Sequence, residues 1–213
     1  MEMTEGRSGA LLDCAVGPAE ITAEVLRRES FDRALLCDIS PTMIAKASQR
    51  LDSLLPAESI SRVSFVTGDV FQILPSIVDQ RFDLVFCLGL IAHTGRLEEL
   101  MFDLKAVLSP SGRILLQSTL FDHWGTKVVR TCSAKRYAAK HGYTIEYFYH
   151  KEILEACKRA GLRIVERRRY CAGIPFGDRI WARANYHLER LLSPLASYFG
   201  AESLYLLERD SAA

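Results

Sequence analysis

The sequence predicts an α/β fold: a doubly wound, mostly parallel sheet of seven strands with helices on both faces. Three observations predict it. Short apolar runs alternate with longer amphipathic stretches through the first two thirds of the chain, the pattern of parallel βαβ units. The run Phe82–Leu88 is almost continuously apolar, as a strand buried on both faces should be. Helix-starting and helix-stopping residues fall between the runs.

Taken in order, Leu11–Val16 reads as the first strand and Pro18 opens a helical stretch to about Arg28. Proline suits a first helical position because its missing N–H has no partner there anyway. Ala34–Ile39 is the second strand, and Ser40 then caps a helix starting at Pro41 with Ile44, Ala47 and Leu51 on one face. Val63–Thr67 is the third strand, closing on Gly68-Asp69, and Phe82–Leu88 the fourth. Leu97–Leu108 is a helix ended by Ser109-Pro110-Ser111-Gly112, and Arg113–Gln117 is the fifth strand. Lys151–Ala160 is a helix closed by Gly161, followed by strands at Leu162–Arg169 and Ser203–Leu207.

Two segments break the rhythm, 119–150 and 171–201, and both are rich in aromatics. Insertions placed there lie near the carboxyl ends of the strands, where such sheets bind ligands. One domain spans 1–213, with these insertions forming a lid on the acceptor side of the site. Within the second, Trp181, Ala184, Leu188, Leu191, Leu195 and Phe199 share one helical face, broken by Pro194. That face suits a packed lid or core helix, with a contact between two copies or with a membrane surface as the alternatives.

Bulk composition excludes several classes. About half the residues (49%) are apolar and the formal net charge is +1, so no global field draws in nucleic acid or membrane. The longest uncharged apolar run, Leu84–Ala92, is too short to cross a bilayer, and no signal peptide is visible. The six cysteines, Cys14, Cys37, Cys87, Cys132, Cys157 and Cys171, contain no C-x-x-C pair. They read as reduced packing residues of a cytoplasmic protein rather than as disulfides or metal ligands.

The strand ends carry the chemistry. Asp13 and the turn Ala15-Val16-Gly17-Pro18-Ala19 follow strand one, Asp38 ends strand two, and Gly68-Asp69 end strand three. Asp38 lies about twenty residues beyond the turn, the offset at which an acid accepts hydrogen bonds from a ribose diol. Dinucleotide and adenosyl sites share that feature, and the turn separates them. A diphosphate needs G-x-G-x-x-G for close backbone approach. Here those positions are Ala15, Gly17 and Glu20, and Asp13 adds a second carboxylate. Two negative groups repel a diphosphate and favour a cation.

The ordered set "LLDCAVGPAE", "ALLCDIS", "VSFVTGDV", "FDLVFCLGLIAHT" and "SPSGRILLQS" resembles the class I S-adenosylmethionine-dependent methyltransferases, over about residues 10 to 120, with a weaker echo in "KEILEACKRAGLRIVERRR". Ala15 and Ala19 stand where the family usually has glycine. The resemblance implies a Rossmann-like fold and S-adenosyl-L-methionine as cofactor, with no metal. It places Asp13 and the backbone of Ala15 to Gly17 at the methionine end, Asp38 on the ribose, and Ile39 and Met43 on the adenine. Gly68, Asp69 and Val70 would meet the adenine edge, and Cys87, Leu88 and Gly89 the floor beside the methyl group. Family members usually carry one or two helices before the first strand. Ten residues precede Leu11 here, which implies weaker retention of the cofactor.

Transfer of a methyl group to a hydroxyl calls for a general base, and histidine is the usual choice near neutral pH. His93, past strand four, and His123, in "FDHWG", are the candidates; His141, His150 and His187 rank lower. The strand-four exit, Cys87-Leu88-Gly89-Leu90, lacks the Asn/Asp-Pro-Pro-aromatic sequence of enzymes that methylate base amino groups, and the six basic residues of "CKRAGLRIVERRR" read as a solvated face. The aromatic "GYTIEYFY", with Phe121 and Trp124, suits a small organic acceptor taking the methyl group on oxygen or nitrogen. The alternatives are a non-catalytic regulatory partner that keeps the fold, an RNA or protein methyltransferase, and, more distantly, a dehydrogenase.

Overall fold

The computed structural model describes residues 8–121, 126–127, 145–171 and 177–210. The seven strands, β1 (Ala10–Asp13), β2 (Arg33–Asp38), β3 (Val63–Thr67), β4 (Phe82–Cys87), β5 (Leu108–Thr119), β6 (Leu162–Tyr170) and β7 (Glu202–Arg209), form one sheet in the order β3-β2-β1-β4-β5-β7-β6. The first five are parallel; β7 inserts antiparallel between β5 and β6. Strand order reverses between β1 and β4, the switch point at which doubly wound sheets open a crevice.

Alternation along each strand divides the core between two faces. Leu11, Leu36, Leu84, Phe86 and Leu115 pack under α1 (Glu20–Arg28) and α2 (Pro41–Leu54) through Ala23, Val25, Ala47 and Leu51. Leu12, Val85, Ile114 and Leu116 point the other way. They meet α4 (Val70–Ser76), α5 (Ile91–Thr94), α6 (Leu97–Val107) and α7 (His150–Ala160). The remaining helical pieces are α3 (Ala57–Ile60), α8 (Gly177–Leu192), a 3₁₀ turn at Ser193–Leu195 and α9 (Ala196–Phe199).

Ser40 caps α2 as expected, its hydroxyl accepting from Met43 N–H. Gly161 ends α7 in the left-handed conformation. Three expectations need correction. The first strand ends at Asp13 rather than Val16, because the N–H of Cys14 already crosses to Phe86 O and that of Val16 to Cys37 O. The Ser109–Gly112 stretch is not a turn between helix and strand. It belongs to β5 as a bulge: Phe82 pairs with Leu108 but Leu84 with Arg113. Asp83 fastens that bulge, accepting from Ser109 Oγ at 2.7 Å while its other oxygen accepts from Ala10 N at 2.9 Å. Of the face expected to pack as a lid or core helix, the described residues are not buried: Leu191 is 75% exposed and Leu195 48%. α9 instead packs on β6.

Gly112 is there for space. A Cβ on it would stand 2.7 Å from Phe82 O and 2.8 Å from Ser109 Oγ. Gly112→Ala is therefore expected to lower stability by about 1–3 kcal/mol, seen as an earlier urea midpoint with an unchanged slope.

Candidate functional site

At the carboxyl ends of β1, β2, β3 and β4 lies a cavity of about 600 Å³. Cys14, Ala15, Asp38, Ile39, Met43, Gly68, Asp69, Val70, Leu88, Gly89, Leu90, His93 and Thr94 line it.

The turn after β1 is held by its own hydrogen bonds. Cys14 N–H donates to Phe86 O, Ala15 N–H to Asp13 Oδ1 at 3.2 Å, Val16 N–H to Cys37 O, and Gly17 N–H to Asp38 Oδ2 at 2.9 Å. Four successive donors are thus spent inside the protein. Gly17 has φ +53°, a conformation glycine takes at no steric cost. Ala19 also has a positive φ, 57°, so an alanine occupies a left-handed position where glycine would be unstrained.

Asp38 holds the turn to β2. Its Oδ2 takes the Gly17 donor and its Oδ1 accepts from Ser40 N at 2.9 Å. It does not cap α2, since Ser40 does. Each carboxylate oxygen keeps a second lone pair, so Asp38 can still accept from a ligand hydroxyl in the cavity. Ile39, next in sequence, lines the cavity and is 72% exposed. Asp69 caps α4 by accepting from Phe71 N at 3.0 Å, so the acid serves the helix and the cavity wall together.

Asp13, Gly17 and Cys87 do not line the cavity. Asp13 is 3% exposed and lies beneath the turn, accepting from Ala15 N–H and from the buried hydroxyl of Thr22. Burial pushes its carboxyl up to about 6; the Thr22 and Ala15 hydrogen bonds oppose the rise and the Asp38 charge adds to it. Cys87 is fully buried at the end of β4. Burial raises the Cys14, Cys37 and Cys87 thiols, the second to about 12, so they are neutral packing groups, Cys14 in the cavity wall. Among the described residues, no three His, Cys, Asp or Glu side chains are grouped to hold a metal.

His93 lies in α5 and lines the cavity half-buried, and burial lowers its pKa from 6.5. It is therefore neutral at pH 7, the form that accepts a proton. His123, Trp124 and His141 lie outside the described residues. His150 Nδ1 is 3.1 Å from the hydroxyl of buried Tyr205, and His187 is exposed beside Tyr186. Sequence reasoning missed Cys14, Leu90 and Thr94 in the wall and Thr22 beneath it. The first three adjoin predicted site residues, so extending each motif by one position would have found them. Thr22 carried no signal, because its partner is nine residues away.

Sheet order, a cavity at the switch point and acids at the tips of β2 and β3 define the class I methyltransferase fold. Residues 11–112 match the family described as "Methyltransferase domain", and the fold is that of the class I S-adenosylmethionine-dependent methyltransferases. It is 27% identical over 118 residues to "Probable methyltransferase ltbC" of Aspergillus luteorubrus, an alignment covering 54% of this chain and 41% of that protein. It is 29% identical over 106 residues to the ubiquinone/menaquinone biosynthesis C-methyltransferase UbiE of Cereibacter sphaeroides, covering 50% and 40%. The matched stretch thus spans about two fifths of these curated relatives. A Geobacter sulfurreducens S-adenosylmethionine-dependent methyltransferase, solved with S-adenosyl-L-homocysteine, shares the fold at TM-score 0.62 and 19% identity, over 98% of this chain and 88% of that one.

A carboxyl whose folded pKa stands above its unfolded value favours the fold below the unfolded value and loses that contribution as pH rises through the folded one. For Asp13, moved from 3.8 to about 6, the loss between pH 4 and pH 7 amounts to about 2 kcal/mol. Wild type should therefore lose about that much relative to Asp13→Asn across this window in urea melts, and parallel curves would contradict it.

Proposed function

We propose that this chain transfers a methyl group from S-adenosyl-L-methionine to a small organic acceptor, on oxygen or nitrogen. The observation that carries the reading is the turn whose N–H donors are all spent while Asp38 and Asp69 line the adjoining cavity. A diphosphate needs backbone donors and repels acids. A ligand with a ribose diol, an apolar heterocycle and positive charge uses what is present instead.

The residues fit that cofactor. Asp38 would take the ribose hydroxyls, Ile39, Met43 and Val70 the adenine faces, and Gly68 and Asp69 its edge. Leu88 and Gly89 would border the reacting end. The backbone carbonyls of the turn, with buried Asp13 behind them, would attract the ammonium. The cofactor supplies an activated methyl on a sulfonium; the protein's part is alignment and exclusion of water. His93, neutral and in the wall, would take the proton of an acceptor hydroxyl.

Leu88 and Leu90 give that end of the cavity an apolar lining, which suits a small ring better than a polyanion. The basic cluster on α7 and β6 supports nucleic acid poorly, for its charges are engaged. Arg159 pairs with Glu98, Arg163 with Glu208 and Arg168 with Glu166; Arg167 donates to Ser203 Oγ and Arg169 to Gly200 O. None of the described helices is long and apolar enough to cross a membrane. The free cysteines suit a reducing, cytoplasmic setting.

Titration calorimetry with S-adenosyl-L-methionine tests the reading. Heat with the wild type, weakened at least about tenfold by Asp38→Ala, is expected, with none from NADH; silence with the wild type would sink it. A nearby cation stabilises ionised Asp13, so affinity should rise with pH through about 6 as binding releases a proton. With a panel of phenols, hydroxy acids and amines, His93→Ala should lower turnover by about 10²-fold on hydroxyl acceptors while cofactor affinity holds. Cofactor binding without turnover on any acceptor would favour the regulatory-partner reading.

A further inference from the structure

We propose that Tyr205 and His150 are positioning residues for His93, acting through the segment 145–149. The proposal rests on the reading of His93 as the base. Tyr205, on β7, is completely buried in the face of the sheet that also carries α5, α6 and α7. A buried phenol costs stability unless its hydroxyl finds a partner. Here that partner is Nδ1 of His150 at 3.1 Å, and the two rings stack with centroids 5.7 Å apart and planes 13° from parallel. Ser203 bonds the same hydroxyl, and Arg167 donates to Ser203 Oγ at 3.3 Å with its guanidinium 5.6 Å from the Tyr205 ring centre. The first residue of α7 is thereby joined to β7 through Tyr205, whose own hydroxyl and ring are held by Ser203 and Arg167.

That fixed point lies directly after 145–149. Phe121 N–H donates to Phe148 O at 3.0 Å, and Leu120 and Phe148 form a β-bridge. Glu146 N–H then donates to Ala92 O, 2.8 Å away, within α5. Gly95 ends α5 with φ +63°, and a Cβ there would come within 3.4 Å of Glu146 Cγ. The segment therefore lies against the far end of α5. A helix of four residues has almost no stability of its own. Its orientation, and with it that of His93, is set by what it leans on: β5 and α6 on one side, residue 146 on the other.

The test is the titration of the His93 imidazole, followed by nitrogen-correlated NMR in wild type, Tyr205→Phe and His93→Ala, the last to assign the signal. Tyr205→Phe keeps the ring and its stacking and deletes only the hydroxyl. The His93 midpoint should move up towards the 6.5 of a solvated imidazole as α5 loosens, and the acid limb of methyl transfer should move with it. Calorimetry with S-adenosyl-L-methionine should show affinity within about twofold of wild type. A merely structural hydroxyl would lower the melting temperature and leave that midpoint in place, which overturns the proposal. Loss of cofactor affinity together with the shift would also overturn it, since the effect would then extend beyond α5. Should Tyr205→Phe fail to fold, His150→Phe, which keeps a ring on Tyr205 without the nitrogen, carries the same two outcomes. If the midpoint shifts while His93→Ala leaves turnover intact, the base assignment fails and the anchor stands.

Discussion

The site depends on the way the turn after β1 spends its hydrogen-bond donors. Crossing the switch point, Cys14 reaches β4 and Val16 reaches β2, so the turn is stitched to both neighbours of its own strand. Ala15 and Gly17 are held by carboxylates, Asp13 below and Asp38 beside. A chain built to bind a diphosphate would leave those N–H groups facing outward. Here they are bonded inside the protein, and the carboxylates left in the cavity wall are those of Asp38 and Asp69. Carboxylates repel a diphosphate and favour a cation.

Asp13 carries the energetic cost of that arrangement. Its carboxyl is buried, and the Thr22 hydroxyl and Ala15 N–H do not offset the loss of water. A fold selected for stability alone would place an amide or an apolar residue there. The strained φ of Ala19 adds to the same small region. Both costs sit within a few residues of the cavity, and a cationic ligand relieves the first by stabilising the ionised carboxylate. Binding and folding are thus coupled through one buried acid.

Much of this was legible in the sequence, for reasons that mark where legibility ends. Apolar runs locate strands because burial on both faces demands them, and all seven were found. Ser40 and Gly161 marked helix ends because capping is local chemistry. Ser109–Gly112 misled because it has turn composition, while the bulge it forms is dictated by Phe82 and Asp83, some thirty residues earlier. α4 escaped because it is short and contains Pro75. Asp38, Asp69 and His93 were found at strand ends, where topology alone puts them near a ligand. Asp13 was expected in the wall, since nothing in "LLDCAVGPAE" distinguishes a carboxylate above the turn from one below. Thr22, nine residues further on, makes that choice.

The two faces of the sheet divide the remaining work. α1 and α2, on one face, hold the turn and Asp38; they are long, and their apolar stripes bury Ala23, Val25, Ala47 and Leu51. The half of the cavity that Asp38 lines therefore rests on extensive packing of the first face. On the other face, α4 and α5 put Asp69 and His93 into the cavity; they are seven and four residues long. Elements that short take their orientation from neighbours, chiefly α6 and β5. Substitution on the first face should alter the cofactor half of the site, and substitution on the second the half where an acceptor would enter. Residues outside the cavity wall thereby reach it: Glu146, through its N–H bond to Ala92 O, braces the short helix that carries His93.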